Sequence, residues 1–493
     1  MATCYVISSY ICNIGLLITL LAAANYYSVI AAEQFSTVRV RIAEEGLQFF
    51  SKIAQHIVDE EIWKVTLPQI TIPIEGGPGT GEVNVTELTL QAFKSPSFSF
   101  ELAPPNGIIW QSKGGSTKQE AVWLAGYYFV VPIYLSGYVK AKMDDIRVYM
   151  QTNLLVRNEH PQIEITDCST DVQQLYVYIT GGVIQWVVNL FRAQLAFVIK
   201  QTIHEKMCDI IRKTVVDINA VLSALSTQVK LYKNLYINYL CKQKPKVTNK
   251  YIESEMIFDV TYGKNRCVLP TEQMDNDVGS KRRMAYIWLS EHIPNCLLKT
   301  VYDSENLTFA ITPNTSAGRF ASFLRTDCEL FAICIGKFLP TLRLKYPNRT
   351  TYFFIRLAET PYTVIDANGI RIFVRSTVDL HLSSEKQQSH RLARLMMTST
   401  TYAVPTILHR KLVGIISNVT TVLHEQDSTV GHFNVRVLKL LEKIMAKTVK
   451  LIGGAALKIG VPLPLIDNMT IADDAQIVTR NGYVRVDFDF TYG

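Results

Sequence analysis

One stretch constrains this chain more than any other. From about Val183 to Leu225 the sequence reads as a single helix. Trp186, Val187, Leu190, Phe191, Leu195, Val198, Ile199, Ile203, Ile210 and Ile211 leave it apolar over most of its surface. A helix of that span approaches roughly 60 Å in length. A compact globule rarely needs such a rod, whereas an elongated domain does. The composition allows it: 48% hydrophobic and 19% charged residues over 493 positions exclude a disordered chain and permit a large buried core.

The elements around that helix fall into two similar series. Residues 38–62 read as an amphipathic helix, with Ile42, Gly46, Phe49, Ile53 and Ile57 on one side and Arg41, Glu44, Glu45, Lys52 and Glu60 elsewhere. Strands are expected over about 65–180, as in SFSFEL (97–102) and GYYFVVPIYLSGYVKAKM (126–143), punctuated by the turn GGPGTG at 76–81. The long helix closes this series. KQKPKVTNK (242–250) is polar, basic and proline-containing, as a linker is. The order then recurs: a strand at 251–262, a helical stretch at 287–301, strands near 305–325 and 351–382, and a helix at 434–452. A final strand follows, in which Val484, Val486, Phe488, Phe490 and Tyr492 alternate with Arg485, Asp487 and Asp489. Two α+β domains in tandem are therefore expected.

The first 32 residues carry no charged side chain, and Ile14–Ala24 (IGLLITLLAAA) is long enough for a signal-peptide core but too short to span a bilayer. A cleaved leader over 1–32 and secretion are expected. Six N-x-[ST] sequons, at Asn84, Asn306, Asn314, Asn348, Asn418 and Asn468, agree with a secreted glycoprotein. Beyond the leader seven cysteines remain, with no C-x-x-C pair, so zinc-ribbon and thioredoxin-type sites are disfavoured. The odd count leaves a thiol either unpaired, the plainer reading, or paired between chains.

Catalytic patterns are missing. His424-Glu425 and His204-Glu205 lack the second histidine of a zinc-protease motif, and no G-x-S-x-G elbow occurs. GGPGTG lacks the lysine of a phosphate loop. The reading is a non-enzyme without cofactor or metal. A net charge of +7 does not argue for nucleic acid. The charge is uneven: residues 33–230 hold 17 basic and 20 acidic side chains, residues 231–493 hold 33 and 23. Arg436, Lys439, Lys443, Lys447 and Lys450 share one helix face, opposite Val437, Leu441, Ile444, Thr448 and Leu451. That face suits lipid headgroups, although an ordinary solvated face is the plainer reading.

With these residues in view, the chain resembles the bactericidal/permeability-increasing, lipopolysaccharide-binding, phospholipid-transfer and cholesteryl-ester-transfer protein family. VRVRIAEEGL (38–47), RMAYIWLSEHIPN (283–295), GKFLP (336–340) followed by KYPN (345–348), GVPLP (460–464) and the long helix carry the resemblance, in order, from about residue 36 onward. It implies an elongated boomerang: two barrel-plus-long-helix domains joined by a central antiparallel sheet. The bounds are then 33–235 for the first domain, 236–260 for linker and central strands, and 261–493 for the second. The family's shared disulfide maps onto Cys168 and Cys208. Cys241, Cys267, Cys296, Cys328 and Cys334 find no counterpart; Cys241–Cys267 across the linker is conceivable.

The resemblance also implies a function. A phospholipid with ~30 methylenes gains on the order of 20 kcal/mol when its chains leave water, so a carrier needs a dry apolar sleeve. Phe49, Phe50, Ile53 and Ile57 on the first helix, and Phe191, Leu195 and Val198 on the long one, are candidate lining residues. Core packing explains each of them as well. The expected protein is a monomeric carrier of phospholipid or related amphiphiles that touches membrane or lipoprotein surfaces transiently. The alternative is an innate-immunity protein binding bacterial lipopolysaccharide through a cationic tip on the first domain. The loop expected near that tip, SKGGSTKQE (112–120), has only two lysines against one glutamate.

Overall fold

The fold, a computed structural model, is described for residues 35–64, 69–74, 79–181, 185–224, 228–241, 243–304, 307–314, 319–329, 331–383, 390–463 and 469–492. The expected leader, Asn306 and Asn468 lie outside these residues.

The two series meet in one antiparallel sheet. Strand Val38–Ala43 lies inside it, with Tyr251–Tyr262 on one side (Val38 opposite Met256) and Ala285–Ser290 on the other (Val38 opposite Leu289). Ala285–Ser290 pairs in turn with Tyr483–Phe488. Beginning, middle and end of the chain thus share one hydrogen-bond ladder. Two expectations are corrected here. Residues 38–43, read as the start of a helix, are a strand; β-branched Val38, Val40 and Ile42 alternate with Arg39 and Arg41, and the helix starts only at Glu44. Residues 285–290, read partly as helix, form a strand buried at every position, and the helix is His292–Ser304. A strand covered on both faces has no polar alternation to reveal it.

The first unit is a seven-stranded sheet, Ile70–Ile74, Thr80–Lys94, Ser97–Ala103, Gly107–Lys113, Ser116–Tyr128, Pro132–Arg157 and His160–Thr180. The last two pair from Tyr138 opposite Thr180 to Arg157 opposite His160. Near that first pair the strands approach so closely that a Cβ on Gly137 would lie 1.9 Å from the Thr180 carbonyl oxygen. Helix Gln185–Ala224 lies on the sheet's inner side and runs back toward the centre, where Gln228–Tyr232 joins the central sheet. The turn after Arg157 also faces the centre, since Cys241 N–H donates to the Glu159 carbonyl (3.3 Å). The far end of this unit is therefore the hairpin between Tyr128 and Pro132. The 112–120 segment, expected near the tip, sits elsewhere: Ser116 is opposite Asp144, twelve residues or roughly 40 Å along the strand.

The second unit repeats the plan. Thr308–Ile311, Thr351–Leu357, Tyr362–Asp366, Gly369–Leu382, Arg391–Leu408, Lys411–Ser428 and Val461–Pro462 form a sheet covered by helix Val435–Leu457. The expected strand over 305–325 shortens to Thr308–Ile311 followed by helix Arg319–Phe323. The hairpin Arg391–Leu408/Lys411–Ser428 was not anticipated. On the covering helix Val437, Leu441 and Met445 are buried, whereas Leu451, assigned to the apolar side, is exposed. The whole is α+β, two half-barrels joined through a central sheet.

Among the described residues three disulfides are present: Cys168–Cys208, Cys267–Cys296 and Cys328–Cys334. Cys241 is a buried free thiol, so the conceivable Cys241–Cys267 bond is replaced by Cys267–Cys296. Closing 40 residues by Cys168–Cys208 stabilises by about 4 kcal/mol on the loop-entropy model.

The central sheet buries paired charges. Arg41 Nε donates to Glu253 (2.8 Å), Arg485 makes a two-pronged contact with Asp487 (2.7 and 2.9 Å), and Arg283 reaches Asp489 (2.8 Å) and Asp474 (2.7 Å). Buried ions tolerate no missing partner. Burial opposes ionisation of Asp277, but hydrogen bonds from Tyr483 and Trp288 and the charge of Arg485 outweigh it, holding its carboxyl below the usual range. Burial likewise opposes ionisation of Asp379, and Arg394 overcomes it. Depressed carboxyl values contribute stability that is present above the ordinary pKa near ~4 and lost as pH falls through the lower folded value. The contribution of these two carboxylates is expected to stay level from neutral pH to about 5, and the denaturant midpoint to drop steeply below about 4. Asp379→Asn should start lower at neutral pH and decline less steeply; an unchanged acid slope in that variant would rule out this carboxylate as a contributor.

Candidate functional site

The first half-barrel holds an apolar cluster beneath the long helix. Ile72, Val83, Val85, Trp123, Val139, Ala141, Met143 and Val177 from the strands enclose Leu195 and Ile199 from the helix. Leu195 is fully buried there, and Val198 packs partly buried beside it. A small cavity of about 10 Å³ lies between Val139, Ala141, Leu195 and Ile199, with Gln119 and Glu120 also on its lining, the space of about one water.

Phe49, Phe50 and Ile53 go to a different place. Half-buried on helix Glu44–Glu61, they pack on the central cluster beside the last strand. Phe49 stacks on Phe490 at 6.2 Å, Phe50 lies 5.6 Å from the same ring, and Phe488 meets it edge-on at 5.2 Å. The candidate lining residues thus divide between two apolar compartments. Ile57 and Phe191 sit on the first and the long helix, and their side chains lie outside the described ones.

Several ties hold the centre-side half of the long helix to its sheet. Asn219 exchanges two hydrogen bonds with the Ile163 backbone (2.8 and 2.7 Å), Gln162 Nε2 donates to Ser223 Oγ (3.0 Å), and Cys208 is covalently held to Cys168. These ties all lie in the half nearer the centre. The half nearer the tip rests on apolar contact through Leu195 and Ile199.

At the tip the sequence abandons turn chemistry. Tyr128, Phe129, Val130 and Val131 occupy the hairpin connection, and all are exposed, Phe129 at 57% and Val130 at 82%. Tyr134, Tyr138 and Tyr178 continue the exposed apolar surface down the outer face of the sheet. The Tyr128 and Tyr134 hydroxyls meet at 3.3 Å over an open groove of about 720 Å³ that Leu124, Gly126, Glu82 and Asn84 complete. None of these tip residues was anticipated as functional. The signal existed in the sequence: residues 121–139 contain no charged side chain.

Other chemistry is sparse. Cys267, His292 and Cys296 cluster as metal ligands do, but both sulfurs are in one disulfide, which leaves the imidazole alone. Burial pushes the His292 imidazole down, favouring its neutral form. Cys208, near His204-Glu205 in sequence, is likewise disulfide-bonded. Of the sequon asparagines, Asn314, Asn348 and Asn418 are exposed, and Asn84 is half-buried, accepting from Thr71 (2.7 Å). No described helix is long and apolar enough to cross a membrane.

Paired half-barrels, each roofed by a helix over an apolar interior, define a class of lipid-binding proteins. The N-terminal domain model of the LBP / BPI / CETP family matches residues 46–225 and its C-terminal domain model matches 229–492, and the chain belongs to that family. Among its relatives, lipopolysaccharide-binding protein of Mus musculus is 22% identical over 446 residues, covering 89% of this chain and 90% of the relative. Bactericidal permeability-increasing protein of Rattus norvegicus is 20% identical over 432 residues, covering 86% and 87%. The crystal structure of lipopolysaccharide binding protein superposes with a TM-score of 0.64 at 20% identity, over 93% of this chain and 99% of that one; this likeness speaks for the fold.

Two substitutions separate core from surface. Leu195→Ala should cost about 2–5 kcal/mol in denaturant unfolding, because it empties a filled site. Val130→Asp should change stability by less than about 0.5 kcal/mol. A neutral Leu195→Ala would mean that the helix does not depend on this contact.

Proposed function

We propose that this protein is a secreted, non-catalytic carrier that takes phospholipid or a related amphiphile from a lipid surface and shields its acyl chains. The observation that supports it most is the uncharged hairpin 128–131, exposed at the far end of an apolar half-barrel. Exposed Phe and Val with a skirt of Tyr suit the boundary between headgroups and hydrocarbon, where amphipathic rings settle. Such a surface needs no anionic lipid to attract it. The carrier's mouth is then at the membrane when the tip is seated. The tip-side half of the long helix, which packs on the strands through Leu195 and Ile199, lifts, and an acyl chain replaces these two side chains. The tied half stays and acts as the hinge. The half-buried Phe49–Phe50–Phe490 cluster offers a second apolar contact, toward the centre.

Lipopolysaccharide capture is the competing reading, because several relatives carry that name. It fits the tip less well. Anionic lipid A is drawn by clustered cations, and residues 121–139 supply none.

The test is lipid recovery and transfer. Intact protein purified from a secreting host should yield bound phospholipid by native mass spectrometry and should move labelled phospholipid between phosphatidylcholine vesicles. Phe129→Asp combined with Val130→Asp should slow transfer at least tenfold without lowering the melting temperature. Absence of both bound lipid and transfer would sink the proposal, and tight lipopolysaccharide binding that ignores the tip substitutions would establish the competitor.

A further inference from the structure

The far end of the second unit carries its own exposed apolar group. Strand Thr351–Leu357 begins there, the bridge between Arg325 and Thr350 closes it, and Lys345 Nζ donates to the Thr429 carbonyl (3.1 Å) beside the start of the covering helix. Cys328–Cys334 closes a short loop at this end, six residues apart in sequence. Phe331 on that loop is 97% exposed and Ile333 61%, and Leu344 on the adjacent helix Pro340–Lys345 is 82% exposed.

The loop is held in this shape. Cys334 is fully buried and anchors one side. Lys337 Nζ donates to the carbonyls of Glu329 and Ala332 from below, both at 2.7 Å. Gly336 lies so close to Thr326 that a Cβ would sit 1.7 Å from its carbonyl oxygen. With its base fixed, the loop does not fold Phe331 and Ile333 back onto the sheet. Large apolar groups kept in water by covalent and hydrogen-bond restraints mark a contact surface.

Charge identifies the partner. Arg325, Lys337, Arg343, Lys345 and Arg349 are all exposed around the loop, against two acids, Asp327 and Glu329. Asp327 is already paired with Arg343 (3.1 Å). Arg436, Lys439 and Arg391, also exposed, add to them at the same end; its other acids are occupied, Asp427 by Arg391 (3.3 Å) and Glu425 by His432 (2.8 Å). Apolar side chains ringed by surplus cations match an anionic bilayer, which takes the rings into its interface and the cations against its phosphates.

We propose that the Cys328–Cys334 loop is a membrane anchor that inserts Phe331 and Ile333 into anionic phospholipid surfaces. This anchor is independent of acyl-chain cargo and distinct from the uncharged tip of the first unit.

The full chain is tested by flotation with phosphatidylcholine vesicles and with phosphatidylcholine/phosphatidylserine vesicles, with and without Asn348→Gln, because Asn348 lies at this end. Wild type should bind the anionic vesicles at least tenfold more tightly, and added salt should weaken that preference. Phe331→Asp with Ile333→Asp should remove the preference while leaving the melting temperature unchanged. Phe129→Asp with Val130→Asp should keep it. The extra emission of Phe331→Trp should shift to the blue on anionic vesicles. Undiminished anionic binding by the loop variant, or an unshifted Trp signal, overturns the anchor even if the first-unit tip performs as proposed. Loop substitutions that instead abolish self-association in size-exclusion chromatography would overturn it in favour of a contact between copies.

Discussion

Everything in this molecule depends on the ladder that strand Val38–Ala43 makes with residues more than 200 positions away. Its partners, Tyr251–Tyr262 and Ala285–Ser290, belong to the second half of the chain, and Tyr483–Phe488 adds the end. Buried charges lock the register. Arg485 meets Asp487 along its own strand. Arg41 reaches Glu253 and Arg283 reaches Asp489 from one segment to its neighbour, each pair costly to separate inside the sheet. A one-residue slip would break these pairs and turn Val38, Val40 and Ile42 to the wrong face. Neither half-barrel therefore ends in an edge of its own choosing. The two are set by one shared sheet, and their far ends point away from it.

The sequence made the largest parts legible and hid the joints. A 40-residue apolar helix and the alternation over 484–488 announce themselves, because their periods persist; the final strand expected through Tyr492 instead divides at Asp489, and Phe490–Tyr492 pairs with Met469–Ile471. The Cys168–Cys208 pair was legible only through family resemblance. The joints misled for a physical reason. Ala285–Ser290 is buried on both faces, so it shows no alternation. Val38–Ala43 runs directly into a helix without a polar break, and the helix period that starts at Glu44 was extended backward over it. The lining residues show the same limit. Leu195 and Phe49 look alike as apolar helix positions, yet one fills the first half-barrel and the other packs on the central cluster.

The tip was hidden by its own composition. Turns are normally signalled by Gly, Asn, Asp or Pro at positions that need them. Here Tyr128 to Val131 make the connection and read as a continuation of the strand; Pro132 is the lone breaker. β-branched valines are poor choices for a turn and worse ones for solubility. An uncharged, aromatic run of this length is also an aggregation hazard. The flanks are charged immediately beyond it, with Lys140 against Glu120 (2.7 Å) and Lys142 against Asp144 on the same long hairpin. Charge is thus present where it guards the strand and missing where the hairpin ends. That distribution is the pattern of a surface kept apolar for contact, with protection placed as near as contact allows.

The two far ends solve one problem with opposite electrostatics. The first exposes Phe129 and Val130 without a cation over 121–139, and the second exposes Phe331 and Ile333 among five cations and two acids. Apolar insertion is insensitive to salt, whereas cation–phosphate attraction fades over a Debye length of about 8 Å at physiological ionic strength. Two such ends on one rigid sheet respond differently to the same membrane. If both proposals hold, a neutral surface engages only the first end, and an anionic one engages both, more weakly at the second as salt rises. Surface charge then decides whether the second end joins the first at the lipid.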